Sequence, residues 1–259
     1  MRFLCLLCLF CAAALPAWGG ERELDLQCLR EAYGPILCGT EQDAEGREWL
    51  VFCSGKRALY DDGRDGDAAW TLEHGDVRDS MAQPYPLEPQ RPVPGVGIHP
   101  GRVRSYAFLR GVYGETRQAV AAQLEHMGLA GQEIQFSRAA GAAAALRRVN
   151  DELRALLREK PELRRYVTPL GGGFFWRHIA GVGRLSPHSF GFAVDLNPRL
   201  GAYWRWSKGT THPGQATFPT EIVRIFENNG FVWGGKWREY DLMHFEYRPE
   251  IICKARKKL

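Results

Sequence analysis

The alternation of apolar and polar positions divides this chain into stretches of different kinds. The most regular is AAGAAAALRRVNDELRALLREK (139–160), where Ala144, Leu146, Val149, Leu153 and Leu157 recur at helical spacing while Arg147, Arg148, Arg154 and Arg158 fall mostly outside that stripe. It predicts an amphipathic helix with its basic face in solvent. Two shorter helices are expected before it, over VRSYAFLRGVYG (103–114) and ETRQAVAAQLEHMG (115–128), the second from the spacing of Val120, Leu124 and Met127. QEIQF alternates and predicts a strand. Near the start, EWLVFCSG, RALYDDG and AWTLEHG read as short strands, with Asp62-Gly63 as a turn. Later, FFWRHI, FAVDLN and MHFEYR predict three more strands, and TEIVRIFENN, after Pro219 and before Gly230, predicts a helix. The last residues, KARKKL, read as a frayed, exposed tail.

The stretch QPYPLEPQRPVPGVGIHPG (83–101) holds too many prolines for a helix or a central strand and predicts an extended connector, either a strap or a tether. It separates a small N-terminal region (20–82) from a main domain (102–259). The expected fold class is α+β: a small antiparallel sheet carrying the functional site, helices packed against it, and a small strand-rich N-terminal region.

The first residues, MRFLCLLCLFCAAALPAWGG, run from a basic residue through an apolar stretch to small residues, the pattern of a secretory leader over residues 1–19. The apolar run is too short for a comfortable membrane span. Removal of the leader takes Cys5, Cys8 and Cys11 with it and leaves Cys28, Cys38, Cys53 and Cys253, an even set that favours disulfides in an exported chain. Of the possible pairings, Cys28 with Cys38 and Cys53 with Cys253 is preferred, the latter joining the N-terminal segment to a C-terminal strand. At 259 residues, 45% of them hydrophobic, the chain is long enough for one sizeable core. Its net charge of +4 is too modest to call for nucleic acid.

Candidate chemistry gathers in two places. Ser186 to Asp195 reads S-x-H-x-x-G-x-A-x-D, and Asp241-x-x-His244 follows near the C-terminus. Gly191 permits a tight turn between His188 and a strand on which Ala193 and Asp195 share a face. In MHFEYR, His244 and Glu246 share a face, so two neighbouring strands can bring His188, Asp195 and His244 to one metal. A catalytic zinc commonly takes three such ligands and keeps a position open for water. His212 is expected outside that ligand set. Trp204 and Trp206, in the long loop RLGAYWRWSKGTTHPGQATF, either line a cleft or serve as buried anchors.

These two motifs resemble the zinc D-alanyl-D-alanine carboxypeptidase and dipeptidase family of the VanY type, which includes L-alanyl-D-glutamate endopeptidases of phage endolysins. The likeness covers about residues 137 to 250. It implies zinc on His188, Asp195 and His244, and a general base at Asp241, where many members carry Glu. It also implies an arginine that contacts substrate and the developing oxyanion; Arg177 in F-W-R matches best, with Arg184 the runner-up. The implied substrate is a peptidoglycan stem peptide, trimmed at its D-alanyl-D-alanine end or cut internally, in a bacterial periplasm or outside the cell. A binding protein that keeps the fold without cutting is the alternative of a different class, and an acid at position 241 favours the enzyme. A metal-dependent nuclease lacks any recognisable motif here.

Overall fold

A computed structural model describes residues 17–207, 209 and 211–259. The expected leader therefore lies outside the described residues, apart from its last three, which open the first helix. Helix α1 (Ala17–Tyr33) leads into an antiparallel sheet of β1 (Leu37–Gln42), β2 (Glu48–Phe52) and β3 (Arg57–Leu59), followed by short helices α2 (Ala68–His74) and α3 (Val77–Ala82). Beyond residues 83–105 come α4 (Tyr106–Tyr113), α5 (Arg117–Ala121), a hairpin of β4 (Leu124–Leu129) and β5 (Gln132–Ser137), the long α6 (Ala142–Glu159) and the short α7 (Arg164–Val167). The third sheet contains β6 (Ala193–Asp195), β7 (Phe231–Trp233) and β8 (His244–Tyr247), all antiparallel, in the order β6-β8-β7. Helices α8 (Gly214–Thr217) and α9 (Thr220–Asn228) lie between β6 and β7 in sequence, and α10 (Pro249–Lys257) closes the chain. This is the α+β class that the patterning predicts.

Strand β8 is central, and all four of its residues are buried. Phe245 stacks on Phe226 of α9 at 4.0 Å between ring centroids, while Ile222 and Val223 of that helix are also fully enclosed. Burial of each such side chain stabilises the fold by roughly 1.5–3 kcal/mol. Helix α6 covers the hairpin with Leu146, Val149, Leu153 and Leu157 as expected, but Ala144 points to solvent. The buried stripe runs through Ala142, Ala145 and Leu146 instead, because at about 100° per residue Ala144 falls on nearly the opposite face of the helix.

Several expectations give way to tertiary context. The helix expected over 115–128 stops at Ala121, and Leu124–Leu129 becomes β4, paired from Leu124↔Ser137 to Leu129↔Gln132. Ala130 (φ 51) and Gly131 (φ 86) form the tight turn of that hairpin, and Met127 and Leu129 then fit a period of two as well as Val120, Leu124 and Met127 fit a helix. AWTLEHG is helix α2, started by Asp67, whose carboxylate accepts the Trp70 N–H at 2.8 Å. FFWRHI forms no strand. Its backbone instead spans between elements, with Phe174 N–H donating to Gln135 O at 3.1 Å and Phe175 N–H to His188 O at 3.2 Å. The expected frayed tail belongs largely to α10, where Lys254 is buried and paired with Asp25 of α1 at 2.5 Å.

Residues 83–101 form a strap held at many points. Tyr85 hydroxyl donates to Glu227 at 2.7 Å and accepts the Trp233 N–H at 2.8 Å, Lys236 reaches Pro86 O at 2.6 Å, and the Trp237 indole donates to Pro100 O at 2.7 Å. Lys236 is itself enclosed between Glu227 and Glu88. These bonds fix the strap against β7 and the loop that leads to β8.

The disulfides are Cys28–Cys253 and Cys38–Cys53, which corrects the preferred pairing. Pairing of β1 with β2 from Leu37↔Phe52, with a bulge at Cys38, brings Cys38 next to Cys53 just past the end of β2, while Cys28 on α1 faces the helix α10, not a strand. Because Cys28–Cys253 closes 225 residues and Cys38–Cys53 only 15, its removal constrains the unfolded chain less by a wider margin. Cys28→Ser with Cys253→Ser is expected to cost about 2–5 kcal/mol in denaturant unfolding, and more than Cys38→Ser with Cys53→Ser.

Candidate metal centre and cleft

His188 lies on a 3-10 turn, Pro187–Phe190, that Gly191 ends in a left-handed conformation (φ 71). A side chain there would also collide with Leu124, 2.6 Å from the position of a Cβ, so glycine is needed for both backbone and packing reasons. The chain then enters β6, and the β6–β8 register sets Asp195 directly opposite His244. As the alternation predicts, Ala193 and Asp195 share one face, and His244 and Glu246 share the matching one.

These elements bring three side chains together. His188 Nε2 lies 3.2 Å from His244 Nδ1 and 3.2 Å from Asp195 Oδ2, and His244 Nδ1 lies 2.8 Å from Asp195 Oδ1. The remaining ring nitrogens face acceptors: His188 Nδ1 donates to Gly173 O at 2.7 Å, and His244 Nε2 donates to Glu246 at 2.8 Å. Those outer bonds settle the tautomers. With both imidazoles neutral, Nε2 of His188 and Nδ1 of His244 direct lone pairs at a common point beside a carboxylate, an arrangement that a cation satisfies. The separations are close to the roughly 3.3 Å between ligands of a tetrahedral ion with bonds of about 2.0–2.1 Å. Two imidazoles and one carboxylate suit zinc.

Behind the ligands stands a buried ionic chain. Glu246, fully enclosed, accepts both from His244 and from the Arg104 guanidinium, with Arg104 Nε at 3.0 Å and its terminal nitrogen closer still. Burial alone would raise the Glu246 carboxyl, but Arg104 and His244 outweigh it and hold the group far below the usual range. Burial likewise disfavours a charged His244, yet Asp195 and Glu246 on its two sides lift it to about 10. Without a cation, His244 thus carries a proton that metal binding must displace. Asp195 is held well below its ordinary value by His188 and His244, against the opposing effect of burial.

Around this centre opens a cleft of about 190 Å³, lined by Arg102, Arg104, Arg177, Ser186, Tyr203, Trp206, Glu239 and Asp241 as well as the three candidate ligands. Asp241 has an enclosed oxygen, Oδ1, with no hydrogen-bond partner among the described residues. Burial first, and then the neighbouring Asp195, push its carboxyl up to about 7. The two candidate arginines part company. Arg177 is exposed on the cleft, its backbone clamped by Ser189, whose hydroxyl accepts the Arg177 N–H at 2.9 Å. Arg184 turns away to Leu72 O and to Glu73 at 2.8 Å, tying the segment to α2.

The two tryptophans divide as well. Trp206 is 72% exposed and lines the cleft, whereas Trp204 packs against the core. His212 Nδ1 accepts the Gly214 N–H at 2.9 Å and stands apart from the His-Asp-His group. A second acidic group, Asp61, Asp62 and Asp76, uses its carboxylates to close local loops, with Asp76 accepting the N–H groups of Asp62 and Asp79 at 2.7 and 2.9 Å. Sequence reasoning did not find Arg102, Arg104 or Glu239. The pair Arg102-x-Arg104 follows the proline-rich strap and carries no motif, and only the pinned path of the strap brings it to the cleft.

Residues 180–247 match the family model described as D-alanyl-D-alanine carboxypeptidase. That segment contains both motifs, so the resemblance read from them is shown for the part of the chain that bears the site. No curated protein and no solved structure matches the chain significantly.

Glu246→Gln removes the charge that orients His244 while leaving a hydrogen-bonding oxygen. Chelator competition is expected to show zinc affinity reduced about 10- to 100-fold, with binding in the parent protein strengthening as pH rises and His244 loses its proton more readily.

Proposed function

We propose that the protein is a zinc-dependent peptidase acting on peptidoglycan stem peptides, as a D-alanyl-D-alanine carboxypeptidase. The observation that carries this reading is the convergence of two imidazoles of fixed tautomer and one carboxylate on a single point, beside a cleft that holds an acid with no partner of its own. The family match supports a peptidase acting on D-alanyl-D-alanine or related wall peptides. Two disulfides are compatible with an exported protein, and among the described residues no helix is long and apolar enough to cross a membrane.

His188, Asp195 and His244 hold the zinc. When bound, it supplies a Lewis acid that acidifies water and polarises a carbonyl. Asp241 accepts the proton of the attacking water and delivers it to the departing amine, a double task for which a carboxyl that burial raises above its ordinary range is suited. Arg177, free on the cleft wall, balances negative charge on the scissile carbonyl oxygen as the tetrahedral intermediate forms. Asp241 is held by a backbone bridge to Tyr203, which fixes the strand end that carries it. Trp206 and Tyr203, 5.3 Å apart and edge to face, offer an apolar wall for small side chains.

The test is zinc-dependent release of D-alanine from a synthetic stem pentapeptide, followed by mass spectrometry of all products. Asp241→Asn is expected to lower kcat by about 10²- to 10⁴-fold without loss of zinc. In the parent enzyme activity rises with pH as Asp241 ionises; the group stands near 7 without a cation, so a bound cation brings that limb below 7. Disappearance of the limb in Asp241→Asn checks the assignment, and full activity of that variant contradicts it.

A further inference from the structure

The cleft contains three arginines, and their surroundings give them different tasks. Arg104 is spent on Glu246, and Arg177 comes from the segment that leads to His188. Arg102 is placed otherwise. Its N–H donates to His99 O at 2.9 Å, its Nη1 lies 3.3 Å from His99 Nδ1, and its guanidinium lies 5.8 Å from the centre of the Trp237 ring. Burial, and then Arg102 itself, hold His99 down to about 4, so at neutral pH this imidazole accepts from Arg102 without competing with it for anions. The same Nη1 pairs with Glu239, and neither Nε nor Nη2 has a partner among the described residues.

Exposure within that pair is unequal. Arg102 keeps 17% of its side chain in contact with solvent and Glu239 keeps 33%. The cation is therefore the fixed member and the carboxylate the one free to swing into water. A guanidinium this enclosed needs an anionic partner, and an incoming carboxylate can serve in place of the more exposed Glu239. A guanidinium fork is also the group best matched to a carboxylate, which it binds through two parallel hydrogen bonds.

We propose that Arg102 is the receptor for the free C-terminal carboxylate of the peptide, and that Glu239 occupies it as an internal carboxylate until substrate arrives. This rests on the peptidase reading and deepens it, because it makes the site select chain ends. The cleft, about 190 Å³, has room for a short terminal group between Arg102 and the His-Asp-His centre. An internal peptide bond offers Arg102 no carboxylate and meets Glu239 in place.

The experiment uses N-acetyl-D-alanyl-D-alanine and its C-terminal amide as probes. Calorimetry on the zinc-loaded Asp241→Asn protein measures binding without turnover, and the parent enzyme is assayed on both peptides. The acid is expected to bind about 10- to 100-fold more tightly than the amide. Arg102→Gln erases that preference while leaving amide binding unchanged, Arg102→Lys retains part of it, and Glu239→Gln strengthens acid binding. Arg177→Gln slows turnover of acid and amide alike, which separates the two cations. Glu239 is the more exposed member of the pair, so its variant keeps the test alive if Arg102→Gln does not fold. Equal binding of acid and amide, or a preference that survives Arg102→Gln, overturns the assignment while cleavage of both peptides leaves the peptidase reading standing. A zinc-loaded parent protein that neither binds nor cuts either peptide overturns both.

Discussion

The buried chain Arg104–Glu246–His244 is the constraint on which the site depends. Glu246 has no contact with water, and an unpaired carboxylate so placed costs several kcal/mol. It is tolerated because Arg104 reaches it from one side and His244 from the other. Each partner arrives by a different route: His244 on the same strand, Arg104 from the end of the proline-rich strap. The strap must therefore be held, and its bonds to Glu227, Trp233, Lys236 and Trp237 hold it. Arg248, next along from β8, donates to Gly101 O and Val103 O at 3.0 and 3.3 Å and fixes the same turn from the other end. Fold and ligand geometry are in this respect one network.

The same chain gives the centre its charge balance. Asp195 and Glu246 contact the two imidazoles while Asp241 stands beside them in the cleft, and the three carboxyls are driven to different states by their surroundings. Glu246 and Asp195 have cationic partners and remain ionised. Asp241 makes no ion pair among the described residues, and burial together with Asp195 outweighs the more distant His244 and Arg102 and pushes it towards neutrality. One cluster thereby supplies a fixed anion behind a ligand, an anionic ligand, and an acid poised to exchange a proton.

The site was more legible in the sequence than the fold around it. Spacing within S-x-H-x-x-G-x-A-x-D placed His188 on a turn and Asp195 on a strand, and the period of two in MHFEYR put His244 and Glu246 on one face; the β6–β8 register joins the two. The errors fall where a short segment suits two periods. Val120, Leu124 and Met127 satisfy a helix until Ala130-Gly131 turns the chain into a hairpin. AWTLEHG alternates like a strand, but Asp67 caps it as a helix. The disulfide pairing was not readable without β1, because its pairing with β2 and the bulge at Cys38 bring Cys38 next to Cys53. Arg102 and Arg104 were missed for a related reason: nothing local marks them, and they reach the cleft through contacts of the strap with residues more than a hundred positions away.

X-ray absorption at the zinc edge of the loaded protein reads whether His188, Asp195 and His244 hold a metal. One tightly bound zinc per chain is expected, with two imidazole nitrogens and light oxygen or nitrogen neighbours at about 2.0–2.1 Å, lost together in His188→Ala and in His244→Ala. Zinc that fails to bind stoichiometrically, or that keeps an unchanged spectrum in those variants, would contradict it.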